Sequence, residues 1–123
     1  MSQEKKLAQT KSLLSKNEPI EHEIVTSEDE IFKVWIKQLS FMDVIKASSI
    51  LVTAGKEGLE MNVEAYYKHA FSSWITKSEP TLNKEELLTL NSDVGAQICA
   101  ILPNSFDILG MVNGGFTKQN PQD

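Results

Sequence analysis

The chain has 123 residues, of which 41% are hydrophobic and 24% are charged, a composition typical of a soluble domain rather than of a disordered or membrane protein. This length allows one domain with a modest hydrophobic core. All 12 basic residues are lysine and the formal net charge is -5, so the arginine side chains that best recognise phosphates and guanine edges are missing, and nucleic-acid binding and phosphoryl transfer are not expected.

The first 19 residues are polar, and Leu7, Leu13 and Leu14 are their only sizeable apolar side chains after the initiator. Such a thin apolar face buries too little surface to hold a helix firmly. Residues 1–19 are therefore predicted to be a flexible arm, and the alternative is a helix that forms on a partner.

Two short strands are predicted on either side of the acidic stretch Thr26–Glu30, forming a hairpin. In the second strand Phe32, Val34 and Ile36 share one face, while Trp35 lies between two lysines on the other. Either the arm or a helix covers Trp35, or its side chain contacts another chain.

The segment VWIKQLSFMDVIKAS runs from this strand into a helix with no Gly or Pro between them. Ser40 and Asp43 form a short version of the capping box, and Leu39 and Val44 are spaced as a hydrophobic staple. This local chemistry predicts a helix that begins after Ser40 and fades at Gly55.

The rest of the chain shows further helix signals. After GKEGLEMN, which is predicted to be a loop, Asn62 can cap a helix over residues 63–77. Asn83 and Glu86 open a short leucine-rich helix, and a final apolar helix ends at Pro103.

Three segments result from these predictions: the arm 1–19, a single domain 20–109 and a flexible tail 110–123. The predicted fold class of the domain is α+β, mainly α. It consists of a small N-terminal antiparallel β-hairpin followed by a bundle of about four helices.

Residues that carry catalysis or bind metals are sparse. His22 and His69 each lack a second ligand at helical spacing, and no glycine-rich phosphate loop or nucleophile motif is present. Cys99, between Ile98 and Ala100, is expected to be a small buried side chain. The sequence predicts a protein that is not an enzyme and has no catalytic residue, metal site or cofactor.

VWIKQLSFMDVIKAS and LNKEELLTLNSDVGAQICAIL together resemble two segments of the tail assembly chaperones of long-tailed bacteriophages. The first is similar to that family's junction of strand, basic residue, Leu-Ser/Thr and helix, and the second to its acidic-leucine segment and closing helix. The resemblance covers residues 24–109.

The resemblance implies a non-enzymatic chaperone in the cytoplasm of the infected bacterium. It would bind the tape-measure protein, keep it soluble and help bring tail-tube subunits to it, and it would be absent from the mature virion. Some members of the family are extended by ribosomal frameshifting. Neither nucleic acid nor a membrane is an expected partner, and a homo-oligomer is compatible with the role.

A chaperone of this kind needs apolar side chains outside its core. The candidate partner contacts are the large aromatic residues Trp35, Phe41, Tyr66, Tyr67 and Trp74, although Phe41 and Trp74 also fit a core. Two other classes remain open: a structural phage protein such as a head-tail connector or minor tail protein, and a host-directed interaction domain.

Overall fold

A computed structural model describes residues 6–119 of the chain, with side chains described for residues 6–112. Its central feature is a three-stranded antiparallel sheet in the order β1 (Ile20–Val25), β2 (Ile31–Ile36) and β5 (Ile75–Glu79). The predicted hairpin of β1 and β2 is confirmed, with Ile24 opposite Phe32 and Glu21 opposite Trp35. In the turn between them, the Thr26 hydroxyl accepts hydrogen bonds from the amides of Glu28 and Glu30.

The predicted start of helix α2 (Phe41–Leu51) is confirmed. The amide of Asp43 donates to Ser40 Oγ at 3.2 Å, and Asp43 Oδ2 accepts from the amide of Ser40 at 2.9 Å. Lys37 Nζ lies 3.1 Å from the same carboxylate oxygen. The chain therefore passes from strand to helix through hydrogen bonds made within a few residues.

The prediction of one helix over residues 63–77 is wrong at its end. Helix α3 (Val63–Trp74) is capped by Asn62 as predicted, but the next residues form strand β5. β2 would otherwise leave one row of backbone groups unpaired, and the β-branched Ile75 and Thr76 suit a strand. The amide of Lys37 donates to the carbonyl of Trp74 at 2.9 Å and so closes the sheet where the helix ends.

The predicted loop GKEGLEMN is also wrong, because most of it belongs to a second hairpin. Its strands are β3 (Val52–Gly55) and β4 (Gly58–Met61), which pair antiparallel. Helix α2 therefore ends at Leu51 rather than fading at Gly55. Gly58 has φ +114°, a conformation that other residues rarely adopt, at the end of the two-residue turn.

The predicted fold class is accordingly wrong in its architecture. The protein is a mixed α+β fold with strands throughout the chain, not an N-terminal hairpin followed by a helical bundle. The remaining helical segments are α1 (Thr10–Leu13), α4 (Lys84–Leu87), α5 (Ser92–Ile101) and α6 (Ser105–Gln119). Asn83 and Glu86 form the predicted capping box at α4, and Asn91 caps α5.

The ends of the described chain differ from each other. Residues 6–19 contain only the single turn α1, and their side chains are exposed. Residues 110–119 of the predicted tail continue α6, whereas residues 1–5 of the predicted arm and 120–123 of the predicted tail lie outside the described residues.

The core lies between one face of the sheet and the helices. Helix α2 packs on α3 and α6, α3 contacts α4 and β5, and α5 contacts β1. The sheet contributes Ile24, Phe32, Val34, Ile36 and Ile75 to the core, and the helices contribute residues such as Leu51, Tyr66, Trp74, Ile98 and Ile108. The opposite face of the sheet bears mostly charged side chains.

Candidate functional site

Two of the five predicted contact residues lie inside the core. Tyr66 is 0% exposed and Trp74 is 2% exposed, and their ring centroids are 5.9 Å apart in an edge-to-face arrangement. The hydroxyl of Tyr66 donates a hydrogen bond to the carbonyl of Pro103. These two side chains are not accessible at the surface of the folded protein.

Trp35 lies on the outer face of the sheet and is half-buried. Glu21 and Lys77 are its direct neighbours on the two flanking strands, and Lys77 Nζ lies 4.5 Å from the centre of its ring. A cation over an indole ring is attracted to its face. Trp35 is therefore held in a charged surface rather than packed beneath a helix.

Tyr67 lines an open groove between α3, α4 and α5, which we call the leucine groove. Its volume is about 380 Å³, and most of its walls are apolar. It is lined by Tyr67, Phe71, Leu87, Leu88, Leu90, Gly95 and Cys99, with Glu64 and Lys68 at one side.

The capping box at Asn83 starts α4 in the orientation that buries Leu87 and leaves Leu88 exposed beside it. Gly95 leaves open space in the groove, because a Cβ built on it would meet nothing within 4 Å. Burial raises the pKa of the Cys99 thiol, which disfavours the reactive thiolate. The leucine groove is thus a surface suited to apolar side chains.

Reasoning from the sequence alone missed Leu88 and Leu90 as surface contacts. The available signal was the adjacent pair Leu87 and Leu88, because consecutive side chains on a helix point about 100° apart and a narrow buried face accommodates only one of them. The groove itself was not predictable, since three segments between residues 64 and 99 form it.

Phe41 belongs to a second apolar surface, beside the N-terminal arm. Leu13, Leu14, Phe41 and Met42 are each between 63% and 70% exposed and line a common depression at the start of α2. We call these four residues the arm patch. It shares no residue with the leucine groove.

Clustered titratable groups are sparse in the part of the chain that the structure describes. No group of three or more His, Cys, Asp or Glu residues is placed there to hold a metal ion. Burial lowers the pKa of His69, and Lys46 lowers it further while Asp43 raises it. The His69 ring stands edge-on to Trp74, with centroids 5.6 Å apart, as expected for a packing role.

One segment of the described chain, Ser92–Val112, is long and apolar enough to cross a membrane by length and composition alone, with a mean hydropathy of 1.2. It consists of α5 and the first part of α6, separated by a break at residues 102–104. Ile98, Leu102 and Ile108 from this segment are buried in the core. A helix that packs in a protein core can have the same length and hydropathy, so this segment is weak evidence of a membrane span.

No protein-family model, curated protein or solved structure matches the chain.

Proposed function

We propose that this protein is a tail assembly chaperone of a long-tailed bacteriophage, which binds the tape-measure protein, keeps it soluble and helps recruit tail-tube subunits. The observation that carries the proposal is the leucine groove, an open apolar surface on a protein of net charge -5. The similarity of the strand-to-helix junction and of the acidic-leucine segment to that family supports the same role.

The groove fits the side chains of an amphipathic helix. Grooves of this kind bind helices that present apolar side chains at positions i, i+3 or i+4, and i+7. Leu88 and Leu90 provide apolar walls, and the aromatic ring of Tyr67 adds a large contact area. A long, largely helical tape-measure protein contains many such segments. The apolar side chains of each segment have to be shielded from water until the tail tube surrounds it.

The charge of the protein supports a chaperone role. Apolar segments that lack a partner aggregate, and a binding protein with an acidic surface keeps the complex soluble through repulsion between like charges. Trp35, half-exposed among charged residues on the outer face of the sheet, offers a second contact to the tape-measure protein or to a tail-tube subunit.

Co-expression with the tape-measure protein of the same phage tests the proposal. The unmodified chain should keep the tape-measure protein in the soluble fraction and co-purify with it. Leu88→Lys, which places a charge in the groove, should abolish both effects. Leu59→Lys is the matched control, because Leu59 is 79% exposed on β4 and does not line the groove.

The result that would contradict the proposal is equal recovery of soluble tape-measure protein with and without this chain. Mass spectrometry of purified particles provides an independent test. Stoichiometric copies in the particle would instead identify a connector or minor tail protein, and recovery of a bacterial protein in place of the tape-measure protein would indicate a host-directed domain.

A further inference from the structure

Strand β1 lies at one edge of the three-stranded sheet. The side-chain amide of Gln97 on α5 donates to the carbonyl of Val25 at 2.8 Å, so this carbonyl points away from β2. In an antiparallel pair, successive residues of a strand direct their backbone groups to opposite sides. The amides and carbonyls of Glu21 and Glu23 therefore also point away from β2, toward the outer side of the sheet edge.

This edge is open over the first part of β1. Ile20, Glu21 and Glu23 are exposed, and the contact with α5 through Gln97 is at the other end of the strand. The N-terminal arm leads away from the edge, because residues 15–17 line a depression that they share with residues of β5, on the opposite side of the sheet. An exposed strand edge of this kind is a template for pairing with an extended segment of another chain.

The charge of the edge indicates which segments it attracts. Residues 20–32 contain no lysine and five carboxylates, namely Glu21, Glu23, Glu28, Asp29 and Glu30. Glu21 lies 3.7 Å from Lys33 on β2, whereas Glu23 makes no ion pair with any residue that the structure describes. Opposite charges that face each other across a strand pair attract, and like charges repel. The edge therefore favours a basic strand.

We propose that the edge of β1 binds an extended basic segment of a partner protein, which adds to the sheet as a fourth strand, antiparallel like the others. The backbone groups of Glu21 and Glu23 bond to this segment, and its basic side chains lie opposite the two carboxylates on the outer face. Its alternate side chains are apolar, because they lie on the core face of the sheet beside Ile20, which is 49% exposed. This surface is separate from the leucine groove, so the inference goes beyond the proposed function.

Amide hydrogen exchange, measured by NMR on the full chain, tests the pairing residue by residue. The probe is a short peptide in which lysine and valine alternate, and a peptide of alternating glutamate and valine is its control. Without peptide, the amides of Glu21 and Glu23 should exchange rapidly, while that of His22, which faces β2, should exchange slowly. The lysine peptide should slow exchange at Glu21 and Glu23, and the glutamate peptide should not.

Methylation of the peptide amides separates backbone pairing from charge attraction. In an antiparallel arrangement the lysines lie directly opposite Glu21 and Glu23 and carry the amides that face β1. A peptide methylated at its lysine amides should therefore not bind, whereas one methylated at its valine amides should bind like the unmodified peptide. Equal binding of the two methylated peptides would overturn the inference.

Variants of Glu23 identify the edge from the side of the protein. Glu23→Pro removes an outward N–H without removing a bond to β2, so the lysine peptide should no longer slow exchange at Glu21. Glu23→Lys should weaken binding of the lysine peptide about tenfold and allow the glutamate peptide to bind. Glu28→Lys is the matched control, because it makes the same change of charge in the exposed turn after β1, and it should bind the lysine peptide like the unmodified protein.

Circular dichroism should show that the variants are folded, and the methylated peptides provide the test if Glu23→Pro is not. Rapid exchange at Glu21 and Glu23 in the presence of either peptide would overturn the inference and leave the two carboxylates as protection against unspecific pairing. Slow exchange at these residues without peptide, increasing with protein concentration, would overturn it by assigning the edge to a second copy. Because the experiment uses only the protein and synthetic peptides, its outcome is independent of the tape-measure proposal.

Discussion

The junction between β2 and α2 provides a quantitative prediction, because two residues satisfy each other's backbone amides there. Ser40→Ala removes the acceptor for the amide of Asp43, which is 3.2 Å away. The loss of a helix cap of this type costs about 1 kcal/mol of unfolding free energy. For a domain of this size, that corresponds to a fall in Tm of about 4 °C.

Asp43→Asn should cost a similar amount for a different reason. The carboxylate accepts from the amide of Ser40 and pairs with Lys37, and both groups of the pair are partly exposed, so the pair contributes only about 0.5 kcal/mol. The negative charge in the first turn of the helix adds about another 0.5 kcal/mol. The double variant with Ser40→Ala and Asp43→Asn should lose less unfolding free energy than the two single variants added together, because each substitution disrupts the same reciprocal pair of hydrogen bonds.

The contribution of Asp43 should depend on pH. Burial raises the pKa of its carboxyl, but the hydrogen bond from the Ser40 amide and the neighbouring Lys37 outweigh burial, and the pKa is lowered from 3.8. The unfolded chain therefore binds the proton more readily, so the stabilisation is present above about pH 3.8 and is lost as the pH falls through the lower folded value. As the pH falls through this range, the unfolding free energies of Asp43→Asn and the unmodified protein should therefore approach each other.

Urea unfolding followed by circular dichroism measures these differences at neutral pH and at pH 3. Ser49→Ala is the matched control, because Ser49 is exposed on the same helix and bonds only to the carbonyl of Lys46. Its stability should equal or slightly exceed that of the unmodified protein. An undiminished penalty for Asp43→Asn at pH 3 would refute the electrostatic reasoning, and a Ser40→Ala penalty no larger than that of the control would refute the capping argument.

Three further substitutions have distinct expected outcomes. Trp35→Ala should weaken tape-measure binding more than stability, because the ring is half-buried and its contact with a lysine contributes about 0.5–1 kcal/mol; calorimetry and pull-down measure the two effects. Gly95→Ala should stabilise helix α5 by about 1 kcal/mol in urea unfolding and reduce tape-measure binding in the pull-down, since its methyl group enters the leucine groove. Tyr66→Phe should lower the unfolding free energy by about 1 kcal/mol in urea unfolding, because the carbonyl of Pro103 loses its hydrogen bond.

Each of these expectations has a result that would contradict it. A large fall in Tm for Trp35→Ala with binding retained would show that the ring is structural. Unchanged binding by Gly95→Ala would indicate that the partner does not reach that part of the groove. Tyr67→Phe is the control for Tyr66→Phe. An equal loss of unfolding free energy in both variants would show that the loss does not come from the hydrogen bond to Pro103.

Local chemistry made part of the fold predictable. The capping boxes at Ser40 and Asn83 each depend on residues three positions apart, so their hydrogen bonds follow from the sequence alone. Period-two alternation from Phe32 to Ile36 similarly identified β2 and placed Trp35 on the face opposite the core. Cys99 has no such local partner; its apolar neighbours predicted a buried side chain, but it is only partly buried and lines the leucine groove.

The division between α3 and β5 shows where local reasoning failed. Apolar spacing continues from Trp74 into Ile75, so the sequence favoured one helix, but the free edge of β2 provides a backbone partner for residues 75–79. The second hairpin was missed for a related reason: its strands have only four residues each and are mostly exposed, so no buried apolar face distinguishes them from a loop.

The sequence by itself determined the starts of α2, α3 and α4, the first hairpin and the absence of arginine, because each depends on neighbouring residues or on composition. The tertiary structure decided which aromatic residues are accessible. Tyr66 and Tyr67 are adjacent in the chain, yet one is buried in the core and the other lines the leucine groove. Burial depends on which segments pack together, and those segments are distant in sequence, so local patterns could not distinguish a core aromatic from a contact at the surface.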